Sequence, residues 1–503
     1  VWSEGFDTGR VIKRWLTTLL SVAVLATGCA TSIDLEAQSA SLVPDGQEQP
    51  DVVTAPTNAP VDALADAPVD APTNAPADAP VDDDEPIGDG SQLGFRQSIL
   101  ITQIDVEAYW ERRLPEVFGI DFEPVRTFEG YFPSKEVSLP SCGGFVDDPE
   151  TYRNNAFYCY ADDSISWDEE ELLPDLFETF GDFAISLVLA HEYGHAIQNR
   201  TDQNGPTINI ELQADCLAGA WAGTLARGES PNLVIADDDL EEAIGGFLVV
   251  RDALGTPADD PYAHGSAFDR ATAFFDGFTG DAEACVDYDT DPPPIAAIAL
   301  SARDFETGGN LPLLELIPLI QSELALYWPA TLDAALSFSY QPPTWVSYGP
   351  TIDLSPCGGE VLDAEVYVDN VFYCSADNTL MFDEGNLLTN LWTEFGDGAA
   401  MYALTNASAQ SALFQAGFDD LDGRLGLAAE CLTGAFNSDL FLGAFENLVI
   451  SAGDLDELIV GMSRYEPSGP NGQGRTLLDL SQRIDAVRFG FDEGVRACVR
   501  QQG

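Results

Sequence analysis

Leu189-Ala190-His191-Glu192-Tyr193-Gly194-His195 contains two of the three histidines in a chain of 503 residues. On a helix, His191 and His195 stand four residues apart and project from one face. Two imidazoles at that spacing can share one Zn²⁺, and Glu192, one residue along, can reach a water on the metal. A third ligand is offered downstream in Glu211-Leu212-Gln213-Ala214-Asp215. Glu211 is preferred as that ligand. Asp215, one turn further on, can then accept a hydrogen bond from a ligand histidine and fix its tautomer. Spacing alone leaves open which of the two carboxylates binds metal.

Outward from this run, the chain repeats itself. Cys142-Gly143-Gly144 returns as Cys357-Gly358-Gly359, and Phe157-Tyr158-Cys159 as Phe372-Tyr373-Cys374. Phe180-Gly181-Asp182 returns as Phe395-Gly396-Asp397, and Asn232-Leu233-Val234-Ile235 unchanged from Asn447. The offset is 215 at each of these places and 213 between Cys285 and Cys498. A register held over most of each half indicates duplication. At the same register His191 becomes Asn406, Glu192 becomes Ala407, His195 becomes Gln410 and Glu211 becomes Gly426. Only Asp215 keeps an acid, as Glu430. The second copy therefore has no tetrahedral zinc site.

Ala156–Cys159 and Ser164–Trp167 flank a polar turn and read as a small hairpin. Helical patterns follow over Leu172–Phe180, Ala184–Gln198, Ile210–Arg227 and Leu240–Ala253. Asn204-Gly205-Pro206 gives the chain room to reverse between the two motif-bearing helices. Each copy is expected to be an α+β unit, mainly helical. The copies are bounded at 95–286 and 311–503, with a linker over 287–310 marked by Pro292-Pro293-Pro294.

The charge balance is extreme, with 85 acidic against 21 basic residues and a net charge of −64. Such a surface argues against nucleic acid as a partner. The nine cysteines contain no C-x-x-C pair, which disfavours a structural zinc or thioredoxin-like site. Each copy carries four cysteines at equivalent positions, which leaves Cys29 apart. Four cysteines allow three pairings; the preferred one is Cys142–Cys159 and Cys216–Cys285, then Cys357–Cys374 and Cys431–Cys498.

Lys13-Arg14 followed by the apolar run Trp15–Ala26 reads as an export signal, too short to span a bilayer. Its end, Leu25-Ala26-Thr27-Gly28-Cys29, resembles the lipobox of bacterial lipoproteins. That resemblance implies a lipidated Cys29 after a signal over 1–29, hence an extracytoplasmic protein anchored to the cell membrane; a plain signal peptide would make it secreted instead. Residues 30–94 are rich in Pro, Ala and Asp and repeat Ala-Pro-Thr-Asn-Ala-Pro at Ala55 and Ala71. They are expected to form a disordered stalk.

The two motifs together, His191 to His195 and then Glu211-Leu212-Gln213-Ala214-Asp215-Cys216-Leu217-Ala218-Gly219-Ala220-Trp221, resemble the bacterial family of putative neutral zinc metallopeptidases. The resemblance covers roughly Phe95 to Val286. It implies two tandem zincin-like domains, the second without its metal site, with His191 and His195 as zinc ligands and Glu192 as catalytic residue. The expected activity is zinc-dependent hydrolysis of peptide bonds in a peptide or protein substrate. His264, the third histidine, aligns with Leu477 and is a candidate to stabilise the oxyanion. The second copy could shield or regulate the first, and the pair could form an intramolecular pseudo-dimer. The competing expectation is a tethered, non-catalytic binding or scaffold lipoprotein built on a peptidase fold.

Overall fold

The computed structural model describes residues 94–501 except 236–238, 261–262, 289, 291, 350–355, 419–423 and 474–478. Cys29, the export signal and the stalk lie outside the described residues. The first half opens with helix α1 (Phe95–Val117) and strand β1 (Thr127–Tyr131). Strands β2 (Ala156–Cys159) and β3 (Ser164–Asp168) form the expected hairpin, turning through Asp163 in the left-handed region. β1 joins β3 in parallel, giving a three-stranded sheet of order β1-β3-β2 in which Thr127 faces Ser164 and Ala156 faces Trp167.

Five helices follow: α2 (Leu172–Phe180), α3 (Asp182–Thr201), α4 (Thr207–Ala226), α5 (Asp239–Val250) and α6 (Ala267–Gly280). Gly181, at φ 98°, breaks the chain between α2 and α3 in a conformation that glycine adopts without strain. Asp202 at φ 55° ends α3, and Pro206 caps the start of α4. Ser266 begins α6 by accepting from the Asp269 amide at 3.1 Å. Most residues of α3 and α4 are buried. Both helices are therefore enclosed nearly all round, and the polar residues they carry are buried with them. α1 covers them: Trp110 is buried, Thr102 donates to Ser186 on α3 at 2.7 Å, and Asp105 accepts from Trp221 on α4 at 2.9 Å.

The second half follows the same order. After a single turn, α7 (Asp304–Thr307), come α8 (Leu313–Leu336), β4 (Thr344–Tyr348), a further turn α9 (Ala364–Tyr367), β5 (Val371–Cys374) and β6 (Thr379–Asp383). Helices α10 (Thr389–Phe395), α11 (Asp397–Gln415), α12 (Arg424–Phe441), α13 (Asp454–Arg464), α14 (Leu480–Glu493) and α15 (Val495–Gln501) complete it. The sheet order β4-β6-β5 reproduces the first, with Thr344 opposite Thr379. Disulfides join Cys142–Cys159, Cys216–Cys285, Cys357–Cys374 and Cys431–Cys498. These are the pairs preferred among the three possible in each copy, and they suit an oxidising, extracytoplasmic compartment.

Within each half, two helices cross at backbone distance. A Cβ on Gly219 of α4 would lie 1.8 Å from the Phe274 carbonyl of α6, and one on Gly277 1.8 Å from that of Cys216. Gly434 and Gly490 play the same parts between α12 and α14. The stretch expected to be a linker is packed rather than free: Tyr288 and Ala296 are buried, and the Ala296 amide donates to Asp269 at 2.8 Å. The prolines Pro292-Pro293-Pro294 marked it as a linker, and the apolar residues beside them anchor it. One hydrophobic core runs through both halves. Among the described residues no helix is long and apolar enough to cross a membrane.

Candidate metal centre

His191, Glu192 and His195 lie on consecutive turns of α3, while Glu211 and Asp215 lie on α4. Gly194 brings these helices together. A Cβ there would stand 2.8 Å from the Ala214 Cα and 2.9 Å from its carbonyl oxygen, so only glycine permits the approach. The result is a convergent donor set. His191 Nε2 lies 3.2 Å and His195 Nε2 3.5 Å from the same atom, Glu211 Oε2. Ligands at 2.0–2.2 Å from a tetrahedral zinc stand roughly 3.3–3.5 Å from one another. The spacing, two imidazole nitrogens and a carboxylate oxygen fit zinc.

The remaining ring nitrogens are both held. His191 Nδ1 donates to Asp215 Oδ1 at 2.7 Å, and His195 Nδ1 to Gln198 Oε1 at 2.8 Å. Each contact fixes a tautomer that presents Nε2 as a lone-pair donor. Gln198 is oriented in turn by the Ile210 carbonyl at 2.6 Å and Gln213 at 3.0 Å. Asp215 is clamped by Arg270 of α6, through Nε at 2.8 Å and Nη2 at 2.9 Å, and Arg270 reaches on to the Val250 carbonyl at 2.7 Å. Neither Gln198 nor Arg270 was anticipated from the motifs. A signal existed for Arg270: with the 213-residue offset it aligns with Arg483.

Three buried carboxylates, Glu192, Glu211 and Asp215, face one guanidinium. Burial alone would lower the pKa of His191, but Asp215 and Glu211 outweigh it and push the imidazole up to about 10. His195 moves the same way, burial being outweighed by Glu211. Burial opposes ionisation of Glu211, yet the two imidazoles hold its carboxyl well below the ordinary range. Asp215 is likewise lowered, with Arg270 and His191 overcoming burial. Glu192 goes the other way, because burial exceeds the pull of the histidines. A site with this surplus of negative charge attracts cations to the Nε2 positions.

Glu192 Oε2 is buried without a hydrogen-bond partner. It lines a cleft of about 940 Å³ with His191, His195, Glu211, Tyr160 and His264. Leu172, Leu176, Phe180, Val188 and Phe247 supply the apolar part of its lining. His264 is half exposed, with its Nδ1 3.4 Å from Asp252. Tyr160, which the motif reading passed over, feels Glu211 and Glu192; burial first and then those charges push its hydroxyl up to about 12.

The corresponding place in the second half keeps its frame without its ligands. Arg483 donates to Glu430 at 2.9 Å and to the Tyr465 carbonyl at 2.9 Å, repeating the contacts of Arg270 with Asp215 and Val250. Asn406 and Gln410 bond to each other at 2.9 Å. Tyr402 fills the space beside Glu430, donating to it at 2.7 Å. Gly194 is replaced by Ala409.

The sequence profile of the family described as putative neutral zinc metallopeptidase matches residues 150–288, the part of the first half that contains the centre. The uncharacterized protein Rv2575 of Mycobacterium tuberculosis H37Rv is 29% identical over 214 residues, 37% of this chain and 68% of that one. The uncharacterized protein YpfJ of Escherichia coli K12 is 30% identical over 154 residues, 26% of this chain and 52% of YpfJ. No solved structure matches.

Proposed function

We propose that the first half is a zincin-like, zinc-dependent peptidase, with His191, His195 and Glu211 as ligands. One observation carries the reading: both Nε2 atoms converge on one oxygen of Glu211 while both Nδ1 atoms are held from behind. When bound there, Zn²⁺ supplies Lewis acidity that polarises a carbonyl and acidifies water. Glu192 Oε2, buried and unpartnered at the cleft, accepts the proton of the attacking water and delivers it to the leaving amine. Its raised pKa makes it a better base than an exposed carboxylate. Asp215 orients His191 and is not a ligand; both of its oxygens are engaged by His191 and Arg270. His264 is assigned to the oxyanion through Nε2, its Nδ1 being turned to Asp252.

The second half is a pseudo-peptidase that keeps the fold and supports the first. The export signal and lipobox-like end support an extracytoplasmic, membrane-anchored location, or a secreted one if the lipobox is not used, with peptides or proteins as substrates. Zinc analysis of the purified protein beside the Glu192→Gln variant tests the reading. One zinc per chain in both, with hydrolysis of a peptide library only in the parent, is the expected result. Zinc without hydrolysis in either would favour the non-catalytic binding lipoprotein.

A further inference from the structure

We propose that Asp397, Asp454 and Glu457 form a second cation site, built for a hard divalent ion such as Ca²⁺, in the half without zinc ligands. Asp397 and Asp454 are the first residues of α11 and α13, and Glu457 lies one turn into α13. One carboxylate oxygen from each lies within 4.8 Å of the others. Asp397 and Asp454 are 3% and 5% exposed.

Each carboxylate is pinned by a backbone amide on one oxygen. Leu311 donates to Asp397 Oδ2 at 2.7 Å, Ser451 to Asp454 Oδ2 at 2.8 Å, and Gly398 to Glu457 Oε2 at 2.8 Å. The Ser451 hydroxyl also contacts Asp454. These bonds leave Asp397 Oδ1 buried with no partner, and an anionic oxygen in that state needs a counter-charge. Arg251, the guanidinium that acts on Glu457 through space, is already paired with Asp456 at 2.8 Å.

Two helix N-termini contribute roughly half a positive charge each. With all three carboxylates ionised they leave roughly two negative charges for a divalent ion to neutralise; without one, burial raises all three carboxyls. Every donor is an oxygen, which selects a hard cation and not zinc. Room for the cluster is kept by Gly396 at φ 113°, where a Cβ would lie 2.2 Å from the Glu457 carboxylate. The same acids recur 215 residues earlier as Asp182, Asp239 and Glu242, after Gly181 in the same conformation. The second half thus lost every zinc ligand while keeping this set. An ion here would tie α11 to α13, the helix whose Asp456 accepts from the Phe268 amide at the start of α6.

Trp392 makes the site addressable, because its Nε1 donates to the carbonyl of Leu311, whose amide bonds Asp397. The test uses the zinc-saturated full chain titrated with Tb³⁺ under tryptophan excitation, then with CaCl₂, and melted with and without CaCl₂. The expected result is terbium emission that CaCl₂ displaces and that falls at least fivefold in Trp392→Phe. CaCl₂ should also raise the melting temperature of the parent. Asp397→Asn should abolish that rise while melting no lower than the calcium-free parent, since it removes an uncompensated charge. Emission indifferent to Trp392→Phe, or a parent that melts identically with and without CaCl₂, would overturn the proposal. So would a parent stabilised by acid alone, which would mean that the cluster shares protons. Should Asp397→Asn fail to fold, Glu457→Gln provides the same comparison.

Discussion

Replacing Asp215 by Asn separates a ligand from a residue that aims one. Asp215 is fully buried and serves two partners, His191 Nδ1 at 2.7 Å and the Arg270 fork at 2.8 and 2.9 Å. Asn can place its carbonyl oxygen where Oδ1 now accepts from both. Its amide must then face Arg270 Nε, donor against donor, and the guanidinium loses its counter-charge in a dry environment. Removing one partner of a buried ion pair costs about 3–5 kcal/mol, and the retained carbonyl contact places Asp215→Asn near the lower end. For zinc, losing an orienting carboxylate weakens binding by about 10–100-fold, or about 1.4–2.8 kcal/mol. Urea denaturation measures the first quantity, and chelator competition at fixed pH the second. Glu211→Gln, by contrast, should lose stoichiometric zinc. If Asp215→Asn also failed to retain zinc while still folding, Asp215 would be the ligand. Zinc affinity within twofold of the parent would mean that the carboxylate does not orient His191 at all.

Gly219→Ala drives a methyl into the Phe274 carbonyl and should cost at least about 3 kcal/mol, the upper end of ordinary overpacking. It should also weaken zinc by displacing Arg270, whereas Gly434→Ala should destabilise comparably in urea and leave zinc affinity unchanged. Removing the Cys216–Cys285 bridge, which closes 69 residues, should cost about 4 kcal/mol on chain entropy; urea midpoints of the double Ser variant check this. Burial pushes Asp269 up to about 6, so its contribution is fully present below the unfolded value of about 4 and is lost as pH rises through about 6. That loss amounts to about 3 kcal/mol. Asp269→Asn should flatten this part of the stability profile, measured as urea midpoints between pH 4 and 7.

Much of the centre was legible because its parts are local. His191, Glu192 and His195 share one helix, and the 215-residue register sorted the cysteines and exposed the missing ligands in the second half. Contacts made through space were harder to read. Arg270 is 55 residues from Asp215 and meets it only because Gly219 and Gly277 let α4 and α6 touch. Gln198, three residues after His195, is within helical reach, but glutamine has no fixed chemistry until its own partners, Ile210 and Gln213, are placed. The parallel pairing of β1 escaped for another reason. Its partner β3 lies more than 30 residues on, with β2 in between, and a five-residue strand carries little pattern of its own. Between α3 and α4 the break was legible from Asn204-Gly205-Pro206, whereas the outer ends of these helices, which have no side-chain cap, were placed only within a few residues.

The two halves meet through corresponding surfaces: α5 lies against α13, and α6 against α14. Arg251, just past the end of α5, reaches Asp456, Phe268 of α6 meets Phe491 at a tilt with 5.3 Å between centroids, and Arg488 of α14 donates to the Thr272 carbonyl at 3.0 Å. When like meets like in this way between separate chains, the assembly is a two-fold dimer. Here the corresponding helices belong to one chain, and they meet in the same way. In an ancestral homodimer, a change in one gene would strike both metal sites at once. Joining two copies in one chain would remove that constraint, leaving one copy free to surrender its histidines while still providing the surface that its neighbour needs. A relative with a single copy would have to recover that surface from a second molecule, and its oligomeric state in solution should be two.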